Sequence, residues 1–282
     1  MENVQTIREA QMHRGSALRS GASTRRHRAL EEQLESLRRE HDELRRTMFE
    51  AAQVQRRLCG PRHLRRESLE IATEIFPVRH LSGDFAGVFD LGADLVVALG
   101  DIAGKGLPAA LWFTHLVGLL HLHLEQQGDP AAALQAVNRD LCSASSALPL
   151  TTLFLARLDP RTGETTFCNA GHPPSLLLRR EGSVEMLHEG GPVLGAIAGA
   201  SFTNGATCLQ PGDTLLGYSD GILESRNFAG AEFGMERLVE AAGRATHFSA
   251  GAALFSILAA AKDFAGDQPR EDDMALVVVH RA

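Results

Sequence analysis

From residue 67 onward, short β-type runs follow one another like successive hairpin arms, and the helical stretches between them arrive in consecutive pairs. LEIATEIFPV, DLVVALGDI, TTLFLARLD, TTFCNAG, SLLLRR, SVEMLH, DTLLGYSD and MALVVVH are bounded by Gly, Pro, Asp and Asn, residues that turn a chain. Residues 107–127 and 130–147 carry two helical patterns in a row, and 234–264 carries a second pair broken near Gly251. A parallel sheet needs a crossover helix between consecutive strands, so this order speaks against a βαβαβ sheet and predicts an α+β sandwich for residues 67–282.

The first 66 residues are of another kind. They hold 15 Arg against 9 acidic residues, a net of +6, whereas residues 67–282 hold 13 basic against 26 acidic residues, a net of −13. Residues 1–27 are polar, rich in Arg, Ser and Gly and without periodicity, which reads as a flexible tail. Within 28–66, Leu30, Leu34, Leu37, His41, Leu44, Met48, Ala51, Gln55 and Leu58 recur at alternating steps of four and three, the seam of a coiled coil. A long charged helix with one narrow apolar stripe predicts pairing with its copy in a homodimer; packing back on its own domain is the alternative. His41 and Gln55 in that seam would weaken the pairing or fix its register. Gly60-Pro61 ends the helix.

So acidic a body lacks the clustered positive charge that nucleic acid requires. The segment MENVQTIREAQMHRG has no apolar signal core. DLVVALGDIAG and FSILAAA fall short of the roughly 20 residues of a membrane span, so the expected compartment is the cytoplasm, without a membrane partner. Cys59, Cys142, Cys168 and Cys208 form no CxxC pair and suit small buried residues in a reducing compartment.

Chemistry is concentrated where acidic residues meet glycine at strand ends: Ser82-Gly83-Asp84, Gly100-Asp101-Ile102, Ser219-Asp220-Gly221 and Asp272-Asp273. A strand end holds a carboxylate on rigid backbone, and the glycine lets the chain bend close to whatever the carboxylate binds. Any one Asp-Gly is more often a turn cap. Carboxylates gathered together repel unless a cation neutralises them, and hard oxygens without a His/Cys cluster select Mg²⁺ or Mn²⁺ over zinc.

These segments resemble the metal-dependent protein phosphatases (PPM), and within them the bacterial SpoIIE/RsbU-like serine phosphatases. FPVRHLSGDFAGVFDL looks like the first metal segment of that branch and ALGDIAGKGLPAALW like its second. NAGHPPSLLLR and GGPVLGA look like its central signatures, LQPGDTLLGYSDGILESRN like its third metal segment, and REDDMALVVVH like its last. Even AAQVQRRLCGP resembles the AxxxQxxLxP linker that precedes the catalytic domain. The resemblance spans residues 51–280 and implies a PPM-type αββα sandwich, two mainly antiparallel sheets flanked by helix pairs, preceded by a coiled-coil helix.

By position, the resemblance implies that Asp101 bridges two Mn²⁺ or Mg²⁺ ions, with the backbone carbonyl of Ile102 completing one site and Asp220 and Asp272 the other. Asp84 would act through water, and Asp273 would be a neighbouring support. Metal-activated water would then hydrolyse phosphoserine or phosphothreonine without a covalent enzyme intermediate. The implied substrate is a phosphorylated STAS-domain anti-anti-sigma protein in a partner-switching pathway, with an upstream regulator acting on the amino-terminal helix. A small-molecule or nucleotide phosphohydrolase and a metal-poor binding module are the rival readings.

Ser82 departs from the GGD of the branch, which predicts a looser or differently bonded surround for the first metal. The phosphate-binding arginine of eukaryotic relatives has no clear counterpart; Arg79 lies nearest. Gly104-Lys105-Gly106 lacks the G-x-x-x-x-G-K-[ST] spacing of a phosphate loop and reads as a hinge opening the 107–127 helix, part of a switch in the family resemblance. His172 is a candidate general acid, although a turn histidine with structural hydrogen bonds is the plainer reading. His115, His121 and His123 do not share one helix face as a metal site would want.

Overall fold

The computed structural model describes residues 2–144 and 149–282, with side chains at 27, 28, 30–143 and 149–282. The chain divides into two compact units, Met1–Glu50 and Ala51–Ala282.

Helix α1 (Glu2–Leu58) begins far upstream of residue 28, so the segment expected as a tail is helical backbone. Residues 2–27 lack an apolar stripe, yet they contain no proline and are rich in Glu, Gln, Arg and Ala, which favour helix by themselves. Along the first unit Leu30, Leu34, Leu37 and Leu44 keep 56, 48, 64 and 57% of their surface in water.

The second unit continues through β1 (His63–Arg66), β2 (Leu69–Phe76), β3 (Asp84–Asp90), β4 (Leu95–Ile102), α2 (Leu107–Gln127) and α3 (Pro130–Ala144). Then come β5 (Thr151–Leu158), β6 (Glu164–Ala170), β7 (Ser175–Leu178), β8 (Val184–Leu187), β9 (Gly190–Gly191) and β10 (Gly205–Cys208). The last elements are β11 (Thr214–Tyr218), α4 (Asp220–Leu223), α5 (Gly234–Ala245), α6 (Ala250–Ala265) and β12 (Met274–Arg281). One sheet has the order β1-β2-β12-β11-β7-β8 and the other β10-β6-β5-β4-β3. All these pairings are antiparallel; β9 joins the second sheet by a parallel pairing with β6.

Strand alternation builds the layers. In β4, Leu95, Val97 and Leu99 face the core between the sheets, while Val96, Ala98 and Ile102 face the layer shared with α2 and α3. In β12, Ala275, Val277 and Val279 enter the inter-sheet core, and Met274, Leu276 and Val278 meet α5 and α6. Strands covered on both faces read as unbroken apolar runs, which is why LVVAL and MALVVV lack a polar alternation. Burying each such side chain contributes on the order of 1.5–3 kcal/mol.

Helix α2 matches the expected 107–127 and has 21 residues, long and apolar enough by composition to cross a membrane. It exceeds the apolar runs weighed from the sequence, and its Phe113, Leu116, Leu120 and Leu124 are buried in the layer beneath β4. Helix α3 is described to Ala144, and the rest of the expected 130–147 lies outside the described residues. The break in the last helix pair falls at residues 246–249, before Gly251. Ser249 caps α6 by accepting from Ala252 N at 3.3 Å, and Gly251 sits within the first turn.

The final turns of α1 belong to this unit and are buried at Ala52 and Gln55, as is Cys59 just beyond them. Gln55 Nε2 donates to Ser82 O at 2.8 Å, and Gln55 Oε1 accepts from Ser82 N at 3.3 Å. Gln55 therefore serves the domain body and is no seam residue facing a second helix: its amide offers the acceptor and donor that the N–H and C=O of the buried Ser82 need. Gly60, at φ 79°, turns the chain away from α1. A Cβ there would lie 2.3 Å from the Val88 carbonyl oxygen.

Candidate metal centre

Asp84 opens β3 and Asp101 nearly closes β4, and the antiparallel register sets them directly opposite each other. Gly83 gives them room: a Cβ on it would stand 2.9 Å from Ile102 O and 3.2 Å from Asp101 Oδ1. In the other sheet, Asp220 is the first residue of α4, immediately beyond β11, and Asp272-Asp273 precedes β12. The neighbouring pair β11–β12 brings these two ends together. Ser219 fixes the junction, its N donating to Ala275 O at 3.0 Å and its Oγ accepting from Ala275 N at 2.8 Å.

The carboxylates are close enough to perturb one another. Burial first, and then the charges of Asp220 and Asp272, raise Asp101 to about 6. Asp84 is 3% exposed. Its carboxyl is pushed up to about 8, chiefly by burial, with Asp101, Asp273 and Asp220 adding to the rise and Ser219 opposing it. Asp84 Oδ2 is buried without a hydrogen-bond partner among the described residues. An unpartnered buried carboxylate oxygen among repelling acids is costly, and a divalent cation relieves both penalties at once. The donor set therefore fits Mg²⁺ or Mn²⁺. Among the described residues, however, no three acidic, His or Cys side chains already converge as a closed cage.

The remaining candidates take distinct places. Asp273 is committed to structure: Val78 N donates to its Oδ1 at 2.7 Å, and Ser82 Oγ and Gly83 N donate to its Oδ2 at 2.8 and 2.9 Å. Those bonds tie the loop before β3 to the start of β12. Ser82, expected to leave this region looser or differently bonded, supplies one of them, the second of those two outcomes. Asp272 Oδ1 accepts from Asp273 N at 2.9 Å and faces the Lys105 ammonium at 2.7 Å. Beside Asp272, a cavity of about 190 Å³ is lined by Gly221, Glu224, Arg226, Arg270 and Glu271. Arg79 is exposed on the loop before β3.

His172 is 5% exposed in the turn after β6, and burial lowers it to about 4, which favours the neutral imidazole near neutral pH. Its ring Nδ1 meets Thr152 Oγ1 at 2.9 Å, and the Asn169 side chain brackets its backbone at 2.7 and 2.9 Å. Those bonds fit the plainer reading of a turn histidine, while its ring Nε2 is buried without a partner among the described residues. His123 Nε2 meets Asp140 Oδ2 at 2.7 Å, joining α2 to α3, and His121 packs edge-on against Phe89. The contacts of Gln55 with Ser82 and of Lys105 with Asp272 escape sequence reasoning. Only the spacing of Gln55 in the AxxxQxxLxP-like linker, and the glycines around Lys105, mark those residues.

The family model described as Stage II sporulation protein E (SpoIIE) matches residues 92–282. Protein IcfG of Synechocystis sp. is 29% identical over 237 residues, 73% of this chain and 37% of that protein. Phosphoserine phosphatase RsbU of Bacillus subtilis is 28% identical over 177 residues, 62% of this chain and 53% of that protein. The chain thus spans from about a third to about half the length of these curated relatives. Among solved structures, the SiaA-PP2C domain of Pseudomonas aeruginosa aligns with a TM-score of 0.73 at 21% identity, covering 86% of this chain and 98% of that one. The sandwich is thus the PP2C fold, and with one family model covering most of its length, the chain belongs to the SpoIIE family.

Proposed function

We propose that this chain is a metal-dependent protein serine/threonine phosphatase. The observation that carries this reading is that the charges of Asp220 and Asp272 raise Asp101, those of Asp101 and Asp220 raise Asp84, and one buried Asp84 oxygen lacks a partner among the described residues. In this reading Asp101, shared between two Mg²⁺ or Mn²⁺ ions, the Ile102 carbonyl, Asp220 and Asp272 would hold the metal, and Asp84 would support it through water. Such ions, when bound, supply an activated water and a clamp for the phosphoryl oxygens. The protein's own part is positioning. Strand ends hold the carboxylates, the Asp273 clamp fixes the loop before β3, and the cavity beside Asp272 leaves room for a phosphorylated side chain. Cys59 and Cys168 do not suit nucleophilic attack, since burial pushes both thiols up to about 12.

Hydrolysis of a phosphoserine protein in ¹⁸O-labelled water, with Mn²⁺ present, tests the chemistry. The label should enter released phosphate in one turnover, and acid quench should trap no phosphoenzyme. A phosphorylated Cys, Ser or His would overturn the reading. Faster turnover of nucleotides than of phosphoprotein would favour a small-molecule phosphohydrolase.

The likeness to RsbU supports a finer proposal: the substrate is a phosphorylated STAS-domain anti-anti-sigma protein in a cytoplasmic partner-switching pathway. The exposed leucines along residues 28–50 support a homodimer joined through α1, where an upstream regulator could also act. Sedimentation at micromolar concentration should give a dimer for the full chain and a monomer after deletion of residues 1–50. A monomeric full chain would remove the dimer.

A further inference from the structure

Lys105 stands between Gly104 at φ 114° and Gly106 at φ 78°, two residues before α2 begins. Neither glycine would meet any atom within 4 Å of an added Cβ, so their freedom serves backbone conformation and not close packing. From this hinge the Lys105 ammonium reaches across to the other sheet's acidic pair, 2.7 Å from Asp272 Oδ1 and 3.2 Å from Glu271 O. A cation is thus already seated on one of the carboxylates assigned to metal. An ammonium in contact with that oxygen and a divalent ion coordinated by it would repel, so the two compete for the site.

We propose that Lys105 is a built-in competitor for the metal centre: it holds Asp272 in the metal-free protein, and its release on metal binding frees the first turn of α2 to move. This rests on the assignment of Asp272 to a metal centre. Because the Lys105 backbone leads directly into α2, displacement of its side chain couples occupancy of the centre to the helix that carries Trp112. That residue is the chain's single tryptophan, packed edge-on to His115 with ring centroids 5.8 Å apart.

The test uses the full chain and its Lys105→Gln and Lys105→Arg variants. Free Mn²⁺ measured by electron paramagnetic resonance gives the affinity, and Trp112 emission during Mg²⁺ titration reports on α2. An exposed ion pair of this kind sets the scale: Lys105→Gln should bind Mn²⁺ about 2–5-fold more tightly at low salt, with the advantage shrinking as salt is added. Lys105→Arg, which keeps the cation, should stay near the parent affinity. In the parent, Mg²⁺ should shift Trp112 emission, and metal-free Lys105→Gln should already emit like the metal-loaded parent. Equal Mn²⁺ affinity in the parent and Lys105→Gln would overturn the competition. Tighter binding with Trp112 emission unchanged throughout would overturn the coupling to α2. Absence of Mn²⁺ binding in all three proteins would overturn the metal-centre assignment itself, and the proposal with it.

Discussion

Asp101→Asn is expected to leave a folded protein that hydrolyses a phosphoserine protein at least about 10²-fold more slowly, the scale on which single preorganised charge-stabilising groups act. Volume is conserved, so the β3–β4 pairing and the space made by Gly83 persist. Charge is not, and its direction matters: burial and the neighbouring Asp220 and Asp272 already disfavour ionised Asp101. Removing that charge therefore relieves repulsion in the metal-free fold, and thermal unfolding should occur at the same temperature or higher. Turnover with Mn²⁺ and a melting curve, measured on the same preparation, separate the two effects. A variant that keeps turnover within a few-fold of the parent would sink the assignment of Asp101 between two metals.

Gly221→Ala should be the most damaging small substitution near the site. The added Cβ would fall 1.9 Å from Asp273 O, a backbone atom with no flexible side chain to yield. Either α4 or the Asp272-Asp273 segment must shift, and either movement separates Asp220 from Asp272. Overpacking usually costs about 1–3 kcal/mol, and a clash with backbone belongs at the upper end of that range. Denaturant unfolding should show the loss of stability, and Mn²⁺ affinity should fall with it. Gly243→Ala makes a control, because that glycine lies in α5 with nothing within 4 Å of an added Cβ. Equal stability for Gly221→Ala and the parent would show that the junction yields without cost.

What the residues disclosed in advance follows from where burial is strong. The doubly covered strands β4, β5, β11 and β12 announce themselves because both faces must be apolar, and α2 is delimited by Gly106, Pro108 and Gly128. Edge elements have no such signature. β1 is His-Leu-Arg-Arg, pairs with β2 at the edge of its sheet and leaves alternate residues in water, so nothing apolar marks it. β9 and β10 are too short to show a period. The acidic clusters were legible because glycine beside aspartate at a strand end is a local pattern. The partners of Gln55 and Lys105 were not, because each is reached across 27 or more positions of chain. A heptad pattern likewise cannot say where a helix stops facing a partner and starts being swallowed by its own domain, as it is at Gln55.

Strand β12 has consequences for when this protein can work during its synthesis. It is made after every other strand of its sheet, yet it lies in the middle of that sheet, between β2 and β11. A nascent chain that has completed every earlier element still has β2 without its inner neighbour and β11 with one open edge. Neither Asp272 nor the Asp273 clamp exists at that stage, so the loop that positions Asp84 lacks its anchor. The sheet and the Asp272-Asp273 segment can therefore be completed only after β12 has emerged, and the unclosed sheet offers an open edge for misassociation until then.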